Sequence, residues 1–171
     1  MANILTLKNH KPQIASSVFV APTAVVAGDV VVGEGSSIWY NAVIRGDTNY
    51  IVIGKNTNIQ DNATLHVETD CPLDIGNNVV IGHNAIVHCR KVGNNCLIGM
   101  GACILNYTEI GDNCIIGAGA MVTQNKKIPA NSMVYGSPAK VIRQLTQEEI
   151  ASIQDDVQEY KELAEIYKKS L

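Results

Sequence analysis

Aromatic side chains are scarce in this chain. They make up 5% of its 171 residues, with one tryptophan and one phenylalanine. Compact cores usually lean on such rings, so a core of aliphatics alone points to a narrow, repeated interior. No run of 18 or more apolar residues occurs, which argues against a membrane-spanning helix. The opening "MANILTLKNHKPQ" lacks the long apolar core of a secretory signal, and a cytoplasmic protein is expected. There is no basic surplus either. The net charge is −3, whereas a nucleic-acid binder usually carries a basic patch, so no nucleic acid is expected as partner. The five cysteines are an odd number without a CxxC pair, and a cytosolic disulfide framework is not expected.

What the chain does have is a six-residue repeat. Stepping from Ile14 in sixes meets Val20, Val26, Val32, Ile38 and Ile44. Three extra residues lead to Ile53, Ile59 and Leu65, and four more to Ile75, Ile81 and Val87. One step of five reaches Val92, followed by Ile98, Ile104, Ile110, Ile116, Val122, Ile128 and Val134. Every stop is Ile, Val or Leu. Four places after most stops sits a small residue, such as Ala24, Ser36, Ala63, Ala85, Cys96 or Cys114, with Lys126 as the exception. Thr48 also falls at that inward position. Cys96 and Cys114 are thereby read as packing residues, while Cys71 lies in a loop and is expected to be an exposed thiol. Glycine often follows the stop, as at Gly33, Gly54, Gly76 and Gly99, where a corner is expected to need backbone freedom.

Short strands of this kind cannot bury an apolar edge alone, and stacked neighbours bury it for one another. Residues 1–13 are expected to cap the first coil and 14–138 to form the solenoid. Residues 139–171 are expected to be a linker and a helix. Thr146 and Glu149 form a capping box, and Ile150, Ile153, Val157, Tyr160, Ala164 and Tyr167 follow helical spacing.

Stacking turns the repeat into columns. Ile44, Leu65 and Val87 occupy one side in successive coils, so Arg45, His66 and His88 form a column on that side. Coils about 4.8 Å apart place His66 directly beside His88, and such a pair can grip one metal ion. His83 belongs to another column, Tyr40, Asp61, His83, on the preceding side. Five residues of extended chain span roughly 16 Å, too far for one ion to bridge His83 and His88. The economical reading takes His83 from a second copy of the chain, with three copies around an axis giving three sites. The same docking would set Arg45 against the neighbour's Asp61.

The segments "RGD" at Arg45–Asp47, "NIQD" at Asn58–Asp61, His66, and "GHNAIVH" at Gly82–His88 resemble the gamma-class carbonic anhydrases. The resemblance implies a left-handed parallel β-helix with a C-terminal α-helix, assembled as a homotrimer. It implies Zn2+, or Fe2+ or Co2+, held by His66 and His88 of one chain and His83 of the next. It assigns Gln60 to the metal-bound water or bicarbonate, Asn58 to its surroundings, and Arg45, Asp47 and Asp61 to the interface network. The implied reaction is the reversible hydration of CO2 to bicarbonate. Three neutral imidazoles leave an open position, and the ion lowers the pKa of its water from 15.7 toward about 7, making the hydroxide that attacks CO2.

Two departures stand out. Thr48 occupies a place where some members carry Glu, and a long acidic loop with a proton-shuttling Glu is replaced by "VETDCPLD", in which Glu68 is a loose match. Metal binding is thus implied, fast turnover is not. Two other functions compete. "YGSPAK" at Tyr135–Lys140 looks like the ending of hexapeptide acetyltransferases, which suggests a CoA-thioester hydrolase or acyltransferase; an acetyltransferase would need one histidine, not three. The third is a non-catalytic trimer held together by its metal.

Overall fold

Parallel strands, many only two residues long, carry the chain from Asn3 to Ile128. The computed structural model describes residues 2–170, and there the chain winds into a parallel β-helix of triangular section with about seven turns. One face stacks Asn3–Leu5 on the first part of Val25–Val32, then the first part of Val43–Ile53, then Thr64–His66, Ile86–Val87, Cys103–Ile104 and Met121–Val122. The second holds Gln13–Ile14, the later parts of the same two long strands, Leu73–Ile75, Lys91–Val92, Glu109–Ile110 and Lys127–Ile128. The third runs from Phe19–Val20 through Ser37–Ile38, Asn58–Ile59, Val80–Ile81, Leu97–Ile98 and Ile115–Ile116 to Ser132–Gly136. Residues 139–144, expected as a linker, form instead a strand, Ala139–Gln144, antiparallel to Ser132–Gly136. The expected cap at residues 1–13 contributes the strand Asn3–Leu5 to the first face.

The six-residue period is the inward column of this prism. Of its stops, only Ile14 and Val20 are partly exposed, and the rest are buried. The small residues four places on are buried too, from Ala24 to Ser132, whereas Lys126 is exposed. Thr48 departs from that expectation. It is exposed and donates from its hydroxyl to the Val67 carbonyl at 3.0 Å, because the extra residues after Ile44 leave the coil. The ladder slips between Gly28 and Val30, letting the Val43–Ile53 strand bulge there. Cys71 is likewise buried rather than exposed, at 2% of its surface, since the loop after His66 folds back through paired backbone bonds between Glu68 and Cys71.

The corners are turned by asparagine, not by the glycines after the stops. Three places beyond the stops lie Asn41, Asn56, Asn62, Asn78, Asn84, Asn95, Asn113, Asn125 and Asn131, all with positive φ. Asparagine tolerates this left-handed conformation better than other side chains except glycine. Gly99, one place after its stop, is needed for room. A Cβ there would lie 2.5 Å from the Ala118 nitrogen in the next coil.

The helix Gln147–Ser170 lies on the third face. Its buried Ile153, Val157 and Ala164 face the prism, and Trp39 packs between Phe19, Tyr160 and Tyr167 with ring centroids 5.1 to 5.4 Å apart. Phe19 and Trp39 are the buried aromatics among the described residues, and both sit in this seam outside the prism. The capping box forms: the Glu149 backbone donates to Thr146 Oγ1 at 3.2 Å, and the Thr146 backbone to Glu149 Oε2 at 2.9 Å. Arg143 adds a forked pair to both Glu149 oxygens at 2.7 Å. Among the described residues no helix is long and apolar enough to cross a membrane.

Gly99→Ala should therefore destabilise the protein by about 1–3 kcal/mol through overpacking. Gly101→Asn should be nearly neutral, because a Cβ at Gly101 meets nothing and its φ of +66° matches the asparagine corners. Thermal melts at one fixed protein concentration compare the two. A second expectation concerns acid. Hydrogen bonds from Arg143 and the Thr146 backbone bring the Glu149 carboxyl down to about 2. Its stabilisation is present above the ordinary value near 4.5 and is lost as pH falls toward 2. In Glu149→Gln, melting temperatures measured from pH 6 to pH 2 should fall less steeply than in the parent.

Candidate metal centre

The parallel ladder dictates which side chains meet. Arg45 pairs with His66 across adjacent strands, and Leu65 with Val87, so His88 stands one coil beyond His66. The two imidazoles face each other with centroids 5.0 Å apart and with His66 Nδ1 3.0 Å from His88 Nε2. A tetrahedral ion holding both nitrogens at about 2.1 Å would set them about 3.4 Å apart, so the pair needs to spread only slightly to fit one. The outer nitrogens are held as well. His66 Nε2 lies 3.0 Å from Asp47 Oδ1, and His88 Nδ1 lies 2.8 Å from Asn106 Oδ1. In the tautomer that donates from Nδ1 to this oxygen, the His88 Nε2 lone pair would face the shared space.

Arg45 also grips Asp47 within the same chain. Burial opposes ionisation of Asp47, yet hydrogen bonds from His66 and Arg45 outweigh it and hold the carboxyl below its ordinary range. This corner is consequently a compact cluster of two imidazoles, one carboxylate and one guanidinium.

His83 sits at a different corner, in the turn between Val80–Ile81 on the third face and Ile86–Val87 on the first. Its Nδ1 is 2.9 Å from Asp61 Oδ2, and its Nε2 is 3.4 Å from the Tyr160 hydroxyl. Gln60 braces it, accepting from the His83 backbone at 3.1 Å and donating to Asn58 Oδ1 at 3.2 Å. Asn58 and Gln60 are buried at 2% and 5% exposure, and Asn58 Nδ2 is a buried donor without a protein partner among the described residues. Beside them a cleft of about 240 Å³ opens between Gln60, His83, Met100, Asp156 and Tyr160.

The residues singled out in the sequence thus form two separate clusters. Arg45, Asp47, His66 and His88 gather at one corner, and Asn58, Gln60, Asp61 and His83 at another. Among the described residues, no cluster of three or more His, Cys, Asp or Glu side chains within one chain could hold an ion. Asn106 and Tyr160 were missed as site neighbours. Tyr160 reads as helix packing, and Asn106 comes close to His88 only through an 18-residue separation. Cys89, next to His88 in sequence, is no ligand at this corner. It points inward, and burial pushes its thiol up to about 12.

Comparison with known proteins agrees with this architecture. Residues 11–46 and 91–124 match the family described as bacterial transferase hexapeptide (six repeats), and residues 72–104 the hexapeptide repeat of succinyl-transferase. The chain is 47% identical to a carbonic anhydrase of Geobacillus kaustophilus, over 96% of this chain and 91% of that protein. It is 41% identical to the mitochondrial gamma carbonic anhydrase 2 of Arabidopsis thaliana, over 96% of this chain but only 61% of the plant protein's length. A crystal structure of a putative acetyltransferase from Bacillus cereus superposes with a TM-score of 0.96 at 46% identity, covering 99% of both chains.

Thiol chemistry checks the burial of this region. Cys103 is the half-exposed thiol, whereas Cys71, Cys89, Cys96 and Cys114 are buried. A thiol reagent added to native protein should leave Cys71 and Cys89 unmodified, read by mass spectrometry, and label them only on unfolding. Early labelling of Cys71 would contradict the folded-back loop.

Proposed function

The chain belongs to the gamma-class carbonic anhydrase family, and from that premise we propose that it hydrates CO2 reversibly to bicarbonate at a divalent metal held between two copies of the chain. The observation that carries the proposal is the His66–His88 pair, 3.0 Å apart at their facing nitrogens and held from behind by Asp47 and Asn106. Histidines used as ligands are oriented in this way by acceptors at the nitrogen that does not bind.

His83 completes the donor set from a neighbouring copy. Asp61 accepts a hydrogen bond from its Nδ1–H, which leaves the Nε2 lone pair for an ion. Exposed apolar side chains flank these corners, namely Ile86 at 45%, Met100 at 60% and Met121 at 41%. A contiguous face of this kind suits docking of another copy, and three copies close the ring. Arg45 would then face the neighbouring copy's Asp61 across the interface. Zn2+, Fe2+ or Co2+ fits three imidazoles, and when bound supplies the positive charge that brings a water's pKa toward neutrality.

Around the reacting carbon, the chain's own groups bind and orient. Asn58 Nδ2, buried and without a protein partner among the described residues, is a donor available to a substrate oxygen. Gln60 Nε2 has a second hydrogen beyond the one given to Asn58, and it offers a further contact.

A second reading rests on the Asp61–His83 pair. A carboxylate-oriented imidazole beside a cleft could serve as general base for acyl transfer from CoA. That reading leaves the His66–His88 pair without a role, and it is the weaker of the two.

Metal analysis and stopped-flow CO2 hydration on anaerobically purified protein test the proposal. One ion per chain and hydration abolished by a chelator are expected; acetyl-CoA turnover without CO2 hydration would replace it with the second reading. His83→Ala should lose metal as completely as His66→Ala. Mixing His83→Ala with a His66→Ala/His88→Ala variant should recover part of the metal in re-formed trimers, and full metal retention by His83→Ala would refute the shared site.

A further inference from the structure

The loop after His66 ends on a contact that the metal ligands alone do not explain. Glu68 accepts a hydrogen bond from Asn106 Nδ2 at 3.2 Å, while Asn106 Oδ1 faces His88 Nδ1 at 2.8 Å. Asp70 anchors the same loop by accepting from the Tyr107 hydroxyl at 2.9 Å, and the backbones of Glu68 and Cys71 close it on itself. An insertion in one coil thereby reaches across to the corner after His88.

We propose that Glu68 and Asn106 act together as a positioning pair that sets the tautomer of His88. Resting on the reading of His88 as a ligand, the inference deepens that reading. A side-chain amide has an oxygen face and an NH2 face, and by itself can turn either toward a ring nitrogen. With NH2 toward Nδ1, His88 would carry its proton on Nε2, the nitrogen that faces His66, and could not donate a lone pair there. A Glu68 carboxyl oxygen accepts from the NH2 face of Asn106, which turns the amide oxygen toward His88. The oxygen face is then committed to His88, Nδ1 becomes the donor, and the Nε2 lone pair points into the site. Glu68 acts through Asn106 and touches neither ring.

The pair is tested on metal-free protein in a His66→Ala background, where no nitrogen faces His88 Nε2 across the site, by imidazole 15N NMR with the His88 signal assigned by its loss in His88→Gln. This parent should show His88 with its proton on Nδ1. Adding Asn106→Leu should lose that preference, and with His66 intact the same substitution should weaken Zn2+ binding about 10–100-fold in a chelator competition. Glu68→Gln should give a mixture of tautomers and a smaller loss, because a Gln amide can accept or donate. The double variant Glu68→Gln/Asn106→Asp restores an acceptor toward His88 and a donor toward that acceptor, and it should recover both the tautomer and the affinity. Circular dichroism and trimer content serve as folding controls. His88 protonated on Nε2 in the His66→Ala parent would overturn the proposal, as would one unchanged tautomer across all variants. Wild type that binds no Zn2+ would instead overturn the functional reading, while the tautomer of the metal-free protein would still decide the role of Glu68 and Asn106.

Discussion

The structure depends on the hydrogen-bonded ladder that stacks one coil on the next. Parallel strands keep neighbouring backbones at a separation of about 4.8 Å, and this spacing is enforced wherever the polar groups are buried. Everything vertical in the molecule follows from it. Inward aliphatics meet inward aliphatics, asparagine corners sit above asparagine corners, and the glycines beside the stops leave room for the next backbone. His66 and His88 face each other for the same reason, since one ladder pairing fixes Leu65 against Val87.

The same ladder keeps the candidate site in two pieces. A triangular coil turns each corner outward, so residues at successive corners diverge. His83 and Asp61 share one corner, His66 and His88 another, and each imidazole has its own oriented acceptor. The proposed ion shared between copies would reconcile three such ligands with a rigid prism. Fold alone does not choose this chemistry, for the relatives it resembles bear both carbonic anhydrase and acetyltransferase names.

Interruptions of the repeat coincide with the chemistry. The extra residues after Ile44 put Asp47 behind His66, and those after Leu65 bring Glu68 to Asn106. An uninterrupted coil would place neither carboxylate there. Local rules are broken at the site and obeyed elsewhere, as expected where function competes with regularity.

The prism, its inward columns, the capping box and the neighbourhood of the histidines were legible in the residue order, because a fixed period and parallel stacking convert sequence distance directly into height. Asparagine at the corners recurs three places after the stops with the same regularity, although the glycines one place after them are the more obvious turn signal. What only the tertiary structure decided lies where the period fails. The burial of Cys71, the exposure of Thr48, the strand at Ala139–Gln144 and the approach of Glu68 to Asn106 all depend on how loops fold over neighbouring coils. Such contacts are set by three-dimensional packing and hydrogen-bond satisfaction between distant segments, and no repeating spacing along the chain encodes them.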